Sequence, residues 1–306
     1  MNQGIKKYSK LIGYPITAIG FGYFVFQFTK NMPSFGGISF HHYIPIVTIG
    51  ILLYLMGNLL LAENWRKLTF LTSLSKYTNV YYWSIYGRTQ ISKYIPGNVF
   101  HIINRHLQTY DDDTSNSDLV RSAFFEIIGL LMASSILSLF GWLFIGKAIE
   151  SSAYWAILAV IIGLILLNYF GNKFEIFKPF TIVRNDQKLF YKLLKIEFLY
   201  FSFFVLIGSI LVLLVGATGV MNIEVLAISL TAFSVSWIGG YITPGAPAGL
   251  GVRESILILI LGFVVDDSKS IIIALIFRFI TTLGDIIFFI LSILAIKYTS
   301  TIAKKG

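Results

Sequence analysis

The stretch Thr243-Pro244-Gly245-Ala246-Pro247-Ala248-Gly249-Leu250-Gly251-Val252-Arg253-Glu254 decides the fold. It interrupts an apolar region. Residues 225–252 carry no charge, yet no single helix runs through Pro244, Pro247, Gly249 and Gly251, because proline removes a backbone donor and its ring clashes with the preceding turn. Arg253 and Glu254 then open another apolar run, residues 255–265. Irregular backbone at membrane depth is tolerated only where protein or a polar cavity surrounds it. The pattern predicts a helix that enters a membrane, breaks at the Pro-Gly apex and leaves again. A fresh helix N-terminus at Gly251 then points its N–H groups into the membrane, an arrangement that attracts anions.

An echo of this stretch lies in the first half of the chain. Tyr94-Ile95-Pro96-Gly97-Asn98 matches Tyr241-Ile242-Thr243-Pro244-Gly245, and the interval from Pro96 to Arg105 equals that from Pro244 to Arg253. Interrupted segments at corresponding places in two halves point to a transporter binding site.

Composition sets the class. Of 306 residues, 56% are hydrophobic and 13% charged, and several uncharged runs reach the roughly 18–20 residues that span a bilayer. The expectation is one all-α polytopic membrane domain over residues 1–306. With no cysteine, disulfides and thiolate metal or redox chemistry are excluded. The net charge of +9 is dispersed between spans, which argues against a nucleic-acid partner.

Taken in order, the apolar runs fall at residues 11–29, 43–62 and 122–146, then 153–170, 198–219 and 270–296. Residues 77–108 hold the first broken hairpin and residues 225–265 the second; 173–197 is expected to be a basic loop. Each half is then span, span, re-entrant hairpin, span. Three crossings is an odd number, so two inverted repeats are expected, residues 11–146 and 153–296. Loop charge agrees. One side receives fifteen lysines and arginines: Lys6, Lys7 and Lys10; Arg66, Lys67 and Lys76; six from Lys173 to Lys195; and Lys297, Lys304 and Lys305. The other side receives Lys30, Lys147 and Lys269. Positive charge marks the cytoplasmic side, so both termini are expected in the cytoplasm, with the two apices meeting near the midplane.

Ionisable residues inside a bilayer cost roughly 2.5–3.5 kcal/mol each on insertion scales and so mark function. Here they are Arg88, Lys93, Arg105, Arg121, Glu126, Arg253, Glu254, Arg278 and Asp285. The basic surplus beside two helix N-termini suits an anion, and the planar fork of arginine matches phosphate. Internal pairing is the alternative, Arg253 or Arg278 with Asp285 and Arg121 with Glu126. Glu126, Glu254 and Asp285 are candidates for ion coupling. His101 and His106 lie five residues apart, which does not suit a helical metal pair, and no metal or cofactor is expected. Asp111-Asp112-Asp113 reads as a hydrated loop.

These residues also carry a resemblance. Lys93-Tyr94-Ile95-Pro96-Gly97-Asn98-Val99-Phe100-His101 with Arg105, Pro244 through Glu254, and Arg278 through Asp285 resemble the signature elements of the lysylphosphatidylglycerol synthase transmembrane (flippase-like) family. The second element departs from the commoner Gly-Gly form by reading Gly-Ala-Pro-Ala-Gly. The resemblance covers roughly residues 10–296 and lacks the family's cytosolic aminoacyltransferase domain, so it implies no synthase activity. It implies handling of lipids, anionic phospholipid or polyprenyl-phosphate-linked, in a prokaryotic cytoplasmic membrane beside envelope-biosynthesis enzymes. It also implies a substrate site drawn from Lys93, Pro96, Gly97, Asn98, His101, Arg105, Pro244, Gly245, Gly249, Gly251, Arg253, Glu254, Arg278 and Asp285.

The expected function is therefore translocation of an anionic lipid. Two other classes compete. A polyprenyl-phosphate-sugar glycosyltransferase usually needs an acidic residue in an exterior loop after the first span, and residues 30–42 contain no Asp or Glu. A non-transporting partner of a lipid or glycan synthase predicts that Arg253 and Glu254 are dispensable.

Overall fold

The computed structural model describes residues 43–72, 78–94, 100–109, 116–145, 187–243 and 246–303. The expected spans at 11–29 and 153–170, both chain termini, Asp111-Asp112-Asp113, and the dipeptides Pro96-Gly97 and Pro244-Gly245 with Asn98 lie outside these residues. Among the described residues the fold is all-helical, without strands. The helices are α1 (Ile44–Thr72), α2 (Asn79–Gln90), α3 (Phe100–Thr109), α4 (Asn116–Ile145), α5 (Gln187–Gly216), α6 (Ile223–Ile242), α7 (Val252–Leu261) and α8 (Asp267–Ala303), with short 3-10 turns at Ile91–Tyr94 and Pro247–Gly249. Five of them, α1, α4, α5, α6 and α8, are long and apolar enough to cross a membrane. The chain is a multi-pass membrane protein.

Four helices outrun the expected spans, α4 among them, which begins at Asn116 rather than at residue 122. α1 continues from the apolar run to Thr72, because Glu63 pairs with Arg66 at 2.6 Å and Lys67 at 3.5 Å, one turn on, a spacing that supports a helix. α5 begins at Gln187, so residues 187–197 are helix rather than basic loop. That segment contains no glycine or proline and is rich in Lys and Leu, good helix formers. α8 starts early because Asp266 caps it, its Oδ1 accepting from the Lys269 N–H at 2.9 Å. Asn222 caps α6 in the same way, accepting from Val225 N–H at 2.8 Å.

Glycine notches set the packing. Gly57 on α1 sits against Ile207 and Phe203 on α5, and Gly208 on α5 against Leu230 on α6. Gly141 on α4 abuts Thr231 and the Ala227 carbonyl on α6. Without a hydrophobic drive between helices in lipid, close approach over small residues supplies the contact. Gly50 opposite Ile280 and Gly284 opposite Tyr54 make α1 and α8 run in the same direction, while Gly57 and Gly50 against Ile207 and Ile210 make α5 antiparallel to both. Between them lies an aromatic core: Phe204–Trp237 at 5.1 Å, Phe204–Phe233 at 5.5 Å and Phe233–Phe277 at 5.8 Å between ring centres. Hydroxyls inside the helices return to their own backbone, as Ser134 and Ser138 do on α4 and Thr231 and Ser234 on α6. The outer face is apolar. Ile49, Leu52, Met56 and Leu59 form one exposed stripe along α1, a surface that suits lipid rather than water.

The second interruption is a hairpin of unequal arms. α6 stops at Ile242; Ala248, Gly249 and Gly251 take left-handed φ values of 50°, 74° and 81°; α7 then packs back along α6, Val252 and Ile256 meeting Gly239. α7 and α3 have ten residues each, about 15 Å at 1.5 Å per residue, half the hydrocarbon core.

Gly141→Val drives a branched side chain into Thr231 and the Ala227 carbonyl. The expected cost is about 1–3 kcal/mol, read as a lower unfolding temperature of the detergent-purified protein, whereas Leu52→Val on the outer stripe leaves that temperature unchanged.

Candidate functional site

The two interruptions come together. The turn Ile91–Tyr94 packs against the turn Pro247–Gly249, and a cavity of about 90 Å³ lies beside them. That is room for several waters. Its walls combine an aromatic shell, with Phe203, Phe233, Trp237 and Tyr241, and the charged groups Lys93, Glu126, Arg253, Glu254, Arg278 and Asp285.

Three ion pairs organise the charges. Asp285 on α8 is buried, and its carboxylate accepts from Lys93 Nζ at 2.7 and 2.9 Å, Tyr94 hydroxyl at 2.7 Å and Tyr54 hydroxyl at 3.0 Å. Arg105 on α3 is wholly buried and pairs with Glu126 on α4 at 2.6 Å. Its guanidinium lies over the Tyr86 ring at 3.8 Å and the Trp65 ring at 5.3 Å, a geometry in which desolvated cation–π attraction is strongest. Arg278 pairs with Glu254 at 3.3 Å and donates to the Ala248 carbonyl at 3.3 Å, tying α8 to the break. The expected partners differ: Asp285 takes Lys93 rather than Arg253 or Arg278, and Glu126 takes Arg105.

Glu254 has a second task. Its other carboxylate oxygen accepts from the Gly251 N–H at 2.7 Å, as the N3 glutamate of a capping box does. One of the donors expected to attract an external anion at this helix start is therefore already held by the chain's own carboxylate.

Arg253 is placed differently from the other cations. Its stem passes between two glycines. A Cβ on Gly240 would lie 2.6 Å from Arg253 Nε, and one on Gly249 2.6 Å from Nε and 2.7 Å from Cγ. Its Nε is buried without a hydrogen-bond partner, and among the described residues no carboxylate stands within ion-pair distance of it. It reaches the cavity wall. His101, on the same wall, has a buried Nδ1 without a partner. With Arg105 counted behind Glu126, the described residues of the site supply four cations, Lys93, Arg105, Arg253 and Arg278, against the three carboxylates Glu126, Glu254 and Asp285. Among the described residues one positive charge is left over, at Arg253.

Of the expected site residues, Lys93, His101, Glu126, Arg253, Glu254, Arg278 and Asp285 line one cavity, Gly249 and Gly251 form the turn beside it, and Arg105 stands behind Glu126 rather than on the wall. Pro96, Gly97, Asn98, Pro244 and Gly245 lie outside the described residues. Sequence reasoning missed Tyr54 and Tyr94 as partners of Asp285, and Tyr86 as the platform under Arg105. Single tyrosines in apolar or half-polar helices carry no spacing signal that marks them. No group of acidic residues and histidines capable of holding a metal occurs among the described residues. Comparison with protein-family models, with curated proteins and with solved structures finds no match.

The two arginines that follow the interruptions differ in what their loss leaves behind. Arg105→Ala strands a buried carboxylate and is expected to cost about 3–5 kcal/mol. Arg253→Ala strands none and leaves the unfolding temperature within the range of neutral variants. Thermal unfolding of the two purified proteins side by side checks this.

Proposed function

We propose that the protein moves a lipid with an anionic, phosphate-bearing head group across the membrane, the phosphate held in the cavity by Arg253. The observation that carries the reading is the spare cation: a guanidinium guided by the Gly240–Gly249 slot to a cavity whose other charges are matched in pairs. His101 and the rim cations Lys93 and Arg278 supply further donors around it. An arginine fork binds phosphate through two parallel hydrogen bonds, which replaces the hydration a head group loses on leaving the interface. Phospholipid and polyprenyl-phosphate lipids share this chemistry.

The same reading takes the two halves as inverted repeats with re-entrant hairpins. Its support is the matching order of elements. In each half a helix ends at a 3-10 turn beside a Pro-Gly dipeptide, a ten-residue helix follows, and a long helix closes the set. In each half, too, a charge on the short helix pairs with one on the long helix, Arg105 with Glu126 and Glu254 with Arg278. The resemblance to the lysylphosphatidylglycerol synthase transmembrane family agrees with this proposal, which also takes the membrane as a prokaryotic cytoplasmic one with both termini on the cytoplasmic side, as the loop charge suggests. Envelope-biosynthesis enzymes are the proposed source of the lipid.

The test is translocation of fluorescent phosphatidylglycerol in reconstituted vesicles. Arg253→Ala and Gly240→Ala, which crowds the arginine, are expected to fall to the rate of protein-free vesicles, and Arg253→Lys to recover part of it, since an ammonium lacks the bidentate fork. Wild-type rates in well-folded Arg253→Ala would remove this site and favour a non-transporting partner of a synthase. Orientation is tested apart. Lys188→Cys, in a chain without native cysteine, is expected to resist labelling from outside intact cells.

A further inference from the structure

Buried polar atoms without partners gather behind the part of the cavity wall that Glu126 forms. They are Asn64 Oδ1 and Trp65 Nε1 on α1, Glu126 Oε2 on α4, and Glu197 Oε1 and Tyr200 hydroxyl on α5. Buried polar groups in folded proteins are nearly always hydrogen-bonded, to protein or to ordered water, so five in one place need a common explanation. They are neighbours. Asn64 Nδ2 donates to the Ile196 carbonyl at 3.0 Å, one residue before Glu197. At Gly129, one turn past Glu126, a Cβ would meet the Tyr200 ring at 2.7 Å and Glu197 Oε2 at 3.2 Å. Tyr200 lies in the fields of both Glu126 and Glu197. Gly129 thus keeps a notch between α4 and α5 into which both α5 side chains turn.

Glu197 has no role in the site described above, and it is the acidic residue in the apolar stretch Tyr191–Gly216 of α5. An acid at such a position is costly and marks function. It is partly buried, between exposed Lys195 and Phe198 on one side and wholly buried Tyr200 on the other. Glu126, at the far end, lines the cavity. The set therefore runs from the bundle surface to the cavity wall.

We propose that Glu197, Tyr200 and Glu126, with water bound among them, carry a proton between the surface near the start of α5 and the central cavity. A proton taken up by the Glu197 carboxylate passes through water to the Tyr200 hydroxyl, which accepts it while giving its own proton onward, through a second bridging water, to the Glu126 carboxylate. Each O–H bond broken is matched by one formed, and the tyrosine ends neutral. Protonated Glu126 releases its charge from Arg105. The groups facing this carboxylate are Arg105 on α3, Tyr86 on α2, Tyr200 on α5 and Tyr241 on α6. α1 adds the neutral Asn64 and Trp65, and α8 reaches the network through Asp285, whose charge is felt at Tyr86. With Glu126 neutral, the Arg105–Glu126 ion pair is lost and the net positive charge beside the cavity rises by one. Coupling of the proton to lipid movement rests on the translocation reading; the path itself does not.

The experiment uses the full-length protein in phosphatidylcholine–phosphatidylglycerol vesicles carrying a trapped pH dye, with an imposed pH gradient. Proton uptake is expected in the wild type and expected to fall to that of protein-free vesicles in Glu197→Gln and Tyr200→Phe. Translocation of fluorescent phosphatidylglycerol without a gradient stays at the wild-type rate in both variants, and its acceleration by the gradient is lost. Infrared difference spectra on acidification give a readout free of transport: the protonated-carboxyl band loses a component in Glu197→Gln. Uptake in folded Glu197→Gln and Tyr200→Phe equal to wild type, or no uptake above protein-free vesicles in the wild type, overturns the path. Proton uptake that depends on Glu197 without lipid movement in the wild type keeps the path and sinks the transport reading.

Discussion

The carboxylate of Asp285 holds the two parts of the molecule in register. It sits buried on α8 and collects Tyr54 from α1, together with Lys93 and Tyr94 from the turn that precedes α3. A buried carboxylate is tolerated only when paired and hydrogen-bonded, and these three donors meet that need. The pairing fixes where the first interruption stands relative to the last helix. Because Arg278, two turns earlier on the same helix, grips the second interruption through Ala248 and Glu254, both interruptions are located by one helix. The cavity exists because α8 is long and continuous where its neighbours are broken.

Around that helix, glycines and arginines act as complementary parts. Arg253 fits its slot because Gly240 and Gly249 leave no side chain there, and Gly249 also accepts the left-handed φ that ends the turn. The same residue type therefore does two jobs within one segment, steering the backbone around the break and clearing a path for the cation that follows it. Arg105 shows the opposite solution. It is enclosed by the Trp65 and Tyr86 rings and neutralised by Glu126, so it braces the wall and leaves cation duty in the cavity to others.

Much of this was legible in the chain. The apolar runs were long enough to mark α1, α4, α5, α6 and α8, and the proline–glycine cluster marked the end of α6 within a few residues, since proline and repeated glycine forbid continuation. Charges in apolar surroundings marked Lys93, Arg253, Glu254, Arg278 and Asp285 as one site, because the bilayer penalises any that lack a purpose. What the chain withheld was partnership. Nothing in spacing says that Asp285 reaches Lys93, 192 residues away, rather than Arg278 on its own helix; only the crossing of α8 over the first turn decides it. Helix ends were underestimated for a related reason. Hydropathy stops at the membrane surface, whereas Glu63–Arg66 pairing and the unbroken run from Gln187 carry the backbone past it. Tyr54 and Tyr86 were invisible as partners of Asp285 and Arg105 because a tyrosine in a span reads first as an aromatic.

The surplus of one cation has an electrical consequence. The ion pairs are Arg278–Glu254, Lys93–Asp285 and Arg105–Glu126, and Arg278 and Asp285 are about 10 Å apart along α8. Each pair is neutral, so its movement transfers no net charge. Arg253 is the exception while the cavity is empty. On the proposed reading, a phosphodiester carrying one negative charge makes the whole site neutral. A membrane potential acts on each uncompensated charge with about 2.3 kcal/mol per 100 mV. On that reading the laden site, with Glu126 charged, offers the voltage no net charge, while the empty site carries a single positive charge that is drawn toward the negative side.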